Sequence, residues 1–155
     1  MRASRLTALL VLLAIWLPSS AASAQQHDNR GDPHTYRPPL DAAVTDPFRP
    51  PAQPWLSGNR GLEYAPVPGS GVRAIGPGVV VFAGPVAGAL YVTILHPDGL
   101  RSSYSYLAAV QVTVGTRVLG GDVVGVAAAV FHLGVRQGDH YLDPASLFGQ
   151  EISGG

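Results

Sequence analysis

Short runs of β-branched and aromatic residues, separated by glycine-containing turns, fill the sequence from Leu56 to Phe148. Runs of about four to eight such residues, bounded by Gly, Pro and Asp, are typical of strands and hairpins. No part of this region keeps a helical period of apolar residues over about eleven positions. The segment HPDGL at 96–100 is a strong turn, because proline presets φ and glycine accepts a positive φ. The pattern therefore predicts an all-β domain of closely spaced antiparallel strands.

The first 24 residues have the organisation of a secretory signal peptide. Arg2 and Arg5 precede the apolar run LTALLVLLAIWL, and the small residues SSAASA follow it and end at Ala24. This run is shorter than the roughly 20 apolar residues that span a bilayer. We therefore expect cleavage after residue 24, a secreted or extracytoplasmic protein of the cell envelope, and no membrane contact after cleavage. The alternative is an uncleaved membrane anchor.

Prolines are dense in residues 25–54, where neither a helical nor a strand period is present. Such a composition predicts an extended linker, although Val44 to Phe48 could already pack on the domain. The sequence is thus divided into a signal peptide (1–24), a Pro-rich linker (25–54), a β domain (55–149) and a short tail (150–155). Without the signal peptide, eight arginines stand against ten acidic residues, so nucleic acid is not an expected partner.

Several segments of the β domain, taken in order, resemble those of a known family. They are GSGVRAIGPGVVVFAG (69–84), YVTILHPDGLRSSYSYL (91–107), VTVGTRVLGGDVVG (112–125) and the closing HLGVR…YLDPASLF. In this order and spacing the chain resembles the lysostaphin-like zinc metalloendopeptidases, which are extracellular peptidoglycan-cleaving enzymes. The resemblance covers about Val44 to Phe148. It implies a compact antiparallel sheet or barrel-sandwich, the duplicated hybrid motif.

Biotinyl and lipoyl carrier domains share a similar glycine-spaced half-barrel motif. Their chemistry needs a lysine amine at a hairpin tip to carry the cofactor covalently. The sequence contains no lysine, so this alternative is excluded.

The resemblance also implies where a site lies. Family members hold zinc with a His, an Asp four residues later and the second His of a His-x-His strand. A His in a Tyr-x-His motif and the first His of His-x-His assist catalysis. Carried across, these positions correspond to Asn59, Glu63 and His132 for the zinc ligands, and to Tyr106 and Val130 for the assisting histidines.

Most of these replacements are poor substitutes. A catalytic zinc needs three protein ligands and an open position for water, and Asn59 offers a weakly ligating amide. Tyr106 carries a phenol with a reference pKa near 10, which is a poor base. Of the expected metal ligands His132 remains, with Glu63 as a conservative change. We therefore expect no catalytic residue, no metal and no other cofactor, and a vestigial binding groove formed by Asn59, Glu63, Tyr106, Val130 and His132.

The segment VAAA at 126–129 is shorter than the Gly/Ser/Thr-rich loop that family members carry before His-x-His. We expect this loss to leave a tight hairpin and a shallower cleft. His96 and His140 are expected in turns without a metal role. Among the aromatic residues, Tyr91 and Tyr104 are expected in the core, while Tyr106 is expected to face the groove.

Three functions remain open from the sequence. The preferred hypothesis is an exported, catalytically inactive homologue that acts as a cell-wall binding or hydrolase-regulating module, with peptidoglycan or a cell-wall hydrolase as its partner. The second is an active zinc metalloendopeptidase that uses a rearranged site around Glu63 and His132. The third is a purely structural envelope domain without a groove ligand.

Overall fold

The computed structural model describes residues 35–152, which form nine strands and one short 3₁₀ turn. The strands are β1 (Val44–Asp46), β2 (Gly61–Tyr64), β3 (Gly71–Arg73), β4 (Gly78–Val86), β5 (Ala89–Leu95), β6 (Arg101–Val110), β7 (Arg117–Val118), β8 (Val123–Gln137) and β9 (His140–Leu142), and the 3₁₀ turn is Pro144–Ser146. Every strand pairing is antiparallel. The predicted all-β class is confirmed.

The signal peptide predicted for residues 1–24 lies outside the described residues. Between residues 35 and 152, the structure contains no helix with the length and apolar character needed to cross a membrane.

Strand β8 organises the sheet. The strand order is β1-β2-β8-β6-β5-β4-β7, and β3 and β9 also pair with β8. β8 is 15 residues long, and β6 pairs with both its first and its second half. On its other side β8 pairs in turn with β3, β2 and β9. The two halves of the domain are therefore joined through one continuous strand.

The core contains a row of aromatic rings contributed by three neighbouring strands. Tyr64 of β2, Phe131 of β8 and Tyr104 of β6 are at most 3% exposed. The Phe131 ring lies between the other two, with centroid distances of 5.7 Å to Tyr64 and 6.4 Å to Tyr104. The Tyr104 hydroxyl accepts the backbone N–H of Ile75 at 2.8 Å, which satisfies its polar end inside the core. Truncating one of these rings is expected to cost about 3–5 kcal/mol.

The hairpin between β5 and β6 has the turn that HPDGL predicts. Gly99 has φ of 84° and donates its N–H to the carbonyl oxygen of His96. The hairpin between β4 and β5 is tighter, because a two-residue turn connects Val86 to Ala89. Both turn residues, Ala87 and Gly88, have positive φ. This conformation matches the right-handed twist of the flanking strands.

The predicted linker and tail differ from what the structure shows for residues 35–54 and 150–152. Tyr36 is 2% exposed within the core, and its hydroxyl donates to the Asp98 carboxylate at 2.9 Å. Its backbone N–H donates to the carbonyl of Gln150, and Ile152 is also buried. A proline-rich composition predicts an extended backbone. It does not reveal whether the few apolar side chains find a surface to cover, and here they do.

The tight hairpin expected at VAAA (126–129) is not formed, because β8 continues through these residues. The pairing of β8 with β6 instead passes from Leu107↔Ala127 directly to Ser105↔His132. Residues 128–131 of β8 therefore lie opposite Tyr106 alone. Both halves of β8 keep their partner strands, and the short segment between them forms a wide irregularity in the pairing with β6.

Candidate functional site

Four side chains form a row across four adjacent strands. Glu63 of β2 is the direct partner of His132 of β8, His132 pairs with Ser105 of β6, and Ser105 pairs with Tyr91 of β5. Residues directly opposite each other project from the same face of a sheet, with Cβ atoms about 4.5–5.5 Å apart. The sequence separates these residues by up to 69 positions, and the register brings them together.

The neighbouring row across the same strands contains two glycines. Gly61 pairs with Gly134, Gly134 pairs with Ser103, and Ser103 pairs with Thr93. Gly134, where a Cβ atom would meet its neighbours only at ordinary contact distances, lies in a groove with a cavity volume of about 440 Å³. The residues that line it are Gly58, Asn59, Arg60, Glu63, Tyr91, Ser103, Ser105, Tyr106, His132, Gly134, Arg136 and Tyr141.

Asn59 is buried and its amide is fully committed. Its Nδ2 donates to the carbonyl oxygens of Asp46 at 3.0 Å and Pro47 at 3.2 Å. Its Oδ1 accepts the backbone N–H of Gly61 at 3.1 Å and lies 3.2 Å from Nε2 of His132. Because two carbonyls require donors, the amide orientation is determined by the hydrogen-bond network.

This network also sets the tautomer of His132. Since Oδ1 of Asn59 can only accept, Nε2 of His132 carries the proton that lies between them. Burial lowers the pKa of His132, and the nearby Glu63 carboxylate opposes this in part. A neutral imidazole with its proton on Nε2 is therefore the expected form near pH 7. Ser105, although opposite His132, makes no hydrogen bond to the imidazole.

The segment expected to be a linker contributes directly to the site. Asp46 ends β1 and Pro47 follows it, and both carbonyls hold Asn59. The backbone of Arg49 exchanges two hydrogen bonds with Asn59, and its guanidinium forms an ion pair with Asp46 at 2.8 Å. The sequence analysis did not predict these contacts with Asn59. The apolar residues of Val44 to Phe48 were the feature that could have assigned this stretch to the domain.

Tyr106 reaches the groove through an unusual backbone conformation. In a regular strand Ser105 and Tyr106 would point to opposite faces, yet both line the groove. Tyr106 has φ of 64°, a left-handed conformation that bulky residues rarely adopt. Its ring is 46% exposed and lies 5.9 Å from the Tyr91 ring. The conformation turns the ring into the groove, and Tyr91, expected in the core, lies there as well.

Four of the five sequence-derived groove residues line one cavity: Asn59, Glu63, Tyr106 and His132. Val130 is 50% exposed and is not part of the cavity wall. Its position in the irregular part of β8 explains this difference, because residues 128–131 do not follow the pairing of the strand ends.

The residues present do not fit a zinc ion. Zinc sites use three or four protein ligands, and His132 and Glu63 are the two side chains here with suitable donors. The third candidate, Asn59 Oδ1, already accepts from Gly61 and lies against Nε2 of His132. Across residues 35–152, no group of three or more His, Cys, Asp or Glu side chains is arranged to hold a metal ion.

A second histidine is built into the core rather than into the site. His96 is 2% exposed, with Nδ1 2.7 Å from the carbonyl of Pro77 and Nε2 2.8 Å from the hydroxyl of Ser102. The carbonyl can only accept, so Nδ1 carries the proton and Nε2 of the neutral ring accepts from Ser102. The hydroxyl groups of Ser102 and Tyr104 also lie within hydrogen-bond distance, at 3.1 Å, so the three side chains form one buried chain. The sequence placed His96 in an ordinary turn, so this buried chain was missed.

Comparisons with known proteins define the class of the fold. The catalytic domain of the antimicrobial peptidase lysostaphin from Staphylococcus simulans is similar over 68% of this chain and 90% of that domain, with a TM-score of 0.60 and 22% identity. Csd3 of Helicobacter pylori is similar over 78% of this chain and 36% of Csd3, with a TM-score of 0.66 and 23% identity. These likenesses show the lysostaphin-like fold that the sequence implied.

The family follows from the sequence match. The model of peptidase family M23 matches residues 57–144, and the chain belongs to this family. Uncharacterized proteins of Mycobacterium bovis (Mb2915) and Mycobacterium tuberculosis (Rv2891) are 39% identical to it over 151 residues, which is 88% of this chain. The chain spans 59% of the length of these relatives.

Proposed function

We propose that this protein is an exported, catalytically inactive member of the M23 family that binds peptidoglycan peptides in the groove around His132. The observation that carries the proposal is the hydrogen bond between Nε2 of His132 and Oδ1 of Asn59. It ties the imidazole to a neutral amide at the position where the family resemblance implies a second metal ligand. Export is supported by the signal-peptide pattern of residues 1–24.

The groove has the composition of a binding surface. Tyr91 and Tyr106 supply aromatic faces with polar tips, which suit sugars and peptides. Ser103 and Ser105 add hydroxyl groups on the floor. Strain at Tyr106 supports a functional role, because a left-handed tyrosine persists only where its surroundings determine it. A role in regulating a cell-wall hydrolase would use the same surface.

Experiments on the purified protein test both parts of the proposal, catalytic inactivity and peptidoglycan binding. Zinc content and peptidoglycan hydrolysis are measured before and after chelation, and retention on insoluble peptidoglycan is measured by sedimentation. We expect retention without hydrolysis, at a zinc content far below one ion per chain. Hydrolysis that chelation abolishes would instead support the alternative, an active zinc metalloendopeptidase with a rearranged site.

Two groove variants and one control separate specific retention from adhesion. Gly134→Ala adds a methyl group to the groove floor at ordinary contact distances, 3.5 Å from Cε1 of His132, so the fold should tolerate it. Tyr106→Asn removes the ring and keeps a residue that accepts positive φ. Leu119→Ser removes an exposed apolar side chain outside the groove. We expect the first two to lower retention and the third to leave it unchanged. Equal retention of all three would favour a purely structural envelope domain.

A further inference from the structure

Arg136, at one end of the groove, lies opposite a second arginine on the neighbouring strand. Arg101 of β6 is the direct partner of Arg136 of β8, and Arg136 also pairs with Tyr141 of β9. Their side chains therefore share one face of the sheet. Like charges directly opposite each other destabilise an antiparallel pair.

A third guanidinium joins them. Arg60 lies with its guanidinium carbon 5.9 Å from the centroid of the Tyr141 ring, and Arg60 and Arg136 both line the groove. Arg60 also donates to the carbonyl of Pro54, and Arg136 makes one long hydrogen bond of 3.4 Å to the carbonyl of Gly138. In the part of the chain that the structure describes, none of the three forms an ion pair. Most of their N–H donors are therefore available to a ligand.

The opposite charge lies at the other end of the groove. Glu63 pairs with His132, and Arg136 is four residues further along β8. The register between β6 and β8 is regular over this interval, so the two ends are about 13 Å apart. An extended peptide spans this distance with about four residues.

We propose that Arg60, Arg101 and Arg136 form a carboxylate-binding subsite at one end of the groove. It takes a peptide that carries a carboxylate group about 13 Å from the part lying over His132. Planar guanidinium groups bind carboxylates through paired hydrogen bonds, and here Arg136 lines the groove together with Arg60 and lies directly opposite Arg101 in the sheet. The inference rests on the proposed function and names the chemistry of the peptide that the groove selects.

Calorimetric titration with a synthetic peptidoglycan stem tetrapeptide tests the subsite. The free-acid peptide is compared with the same peptide carrying all carboxyl groups as amides. We expect amidation to weaken binding by about tenfold or more, since hydrogen bonds between charged groups are the strong ones. Arg136→Gln and Arg101→Gln should weaken binding of the free-acid peptide by the same factor and leave binding of the amidated peptide nearly unchanged. Arg117→Gln, an exposed arginine on the strand at the far end of the sheet, is the matched control and should bind as the unmodified protein does.

The stability of Arg101→Gln supplies a second readout. Arg101 is exposed and faces a like charge, so its replacement should leave the unfolding midpoint unchanged or raise it. The same replacement should weaken binding of the free-acid peptide. Equal affinity for the acid and amide peptides, or equal affinities of Arg136→Gln and Arg117→Gln for the acid peptide, would contradict the proposed subsite. Either result would leave the proposed function standing. Binding of neither peptide would overturn both.

Discussion

Nε2 of His132 donates to Oδ1 of Asn59 across 3.2 Å, and Asn59 is in turn held by the carbonyls of Asp46 and Pro47. The imidazole is thereby positioned by a neutral, buried amide whose own partners come from an earlier part of the chain. Because each donor and acceptor of Asn59 has a partner, the arrangement is a satisfied hydrogen-bond network in its own right.

Converting this network into a metal site is expected to need two substitutions. Asn59→His together with Glu63→Asp supplies the ligand types that the family resemblance implies, with His132 as the third. We expect the double variant to retain about one zinc ion per chain after dialysis, measured by atomic emission. The unmodified protein should retain far less.

Asn59→Ala with Glu63→Asp is the control for that experiment. It loses the same amide contacts without gaining an imidazole, so it should retain no zinc. Its free energy of unfolding should be about 1–3 kcal/mol lower than that of the unmodified protein. If the His-containing variant folds and still takes up no zinc, then Asn59, Glu63 and His132 do not converge as ligands, and the equivalence of these positions is wrong.

Backbone strain at Tyr106 makes the choice of substitution decisive. Its φ of 64° is tolerated by Asn and opposed by β-branched residues. Tyr106→Asn should unfold at nearly the same urea concentration as the unmodified protein, whereas Tyr106→Val should lose about 1–2 kcal/mol. Equal stabilities of the two variants would show that the left-handed conformation is not maintained at this position.

Stability should fall on acidification through the buried His96. Burial lowers the pKa of His96, while its bond to Pro77 and the nearby Asp98 oppose this in part. The unfolded chain takes up a proton near pH 6.5, and the folded state resists it. The contribution is thus fully present above this pH and is lost as pH falls towards the lower, folded value. The expected slope is up to about 1.4 kcal/mol per pH unit in this interval.

Urea unfolding between pH 5 and 8 measures this slope. His96→Gln should be less stable at pH 8, because the contacts to Pro77 and Ser102 are disturbed, and its pH dependence should be flatter. The pKa of His132 is lowered as well, so a residual slope of the same sign is expected in that variant. An unchanged slope after replacement of His96 would contradict this assignment.

The hydroxyl of Tyr64 is buried without a hydrogen-bond partner among the described residues. Burial raises the pKa of Tyr64 to about 12, and the nearby Asp143 adds to the shift. Removing an unsatisfied buried hydroxyl relieves a desolvation cost of about 1–3 kcal/mol. Tyr64→Phe is therefore expected to keep the ring contact with Phe131 and to raise the free energy of unfolding. A loss of more than about 1 kcal/mol would indicate a partner for the hydroxyl.

The fold class could be predicted because its signals are local. Runs of β-branched residues and turn sequences such as HPDGL, with Gly99 at positive φ, determine strands and hairpins through interactions between near neighbours in the chain. The same short range limited the prediction for residues 35–54. Their composition describes an extended backbone, and the burial of Tyr36 depends on a surface that distant residues create.

The candidate site was predicted in part. Alignment of motifs named Asn59, Glu63, Tyr106 and His132, which line one groove. It also named Val130, which does not line the groove, because the pairing of β8 is irregular at residues 128–131 and side-chain alternation cannot be counted through that irregularity.

The sequence by itself determined that the chain is an all-β member of its family and that most of the expected metal and catalytic side chains are replaced. The tertiary structure alone decided what those replacements do. It placed the amide of Asn59 against His132, turned Tyr106 into the groove and set Arg101 opposite Arg136. The reason is physical: residue identity specifies which donors and charges exist, whereas strand register and backbone conformation determine which of them meet.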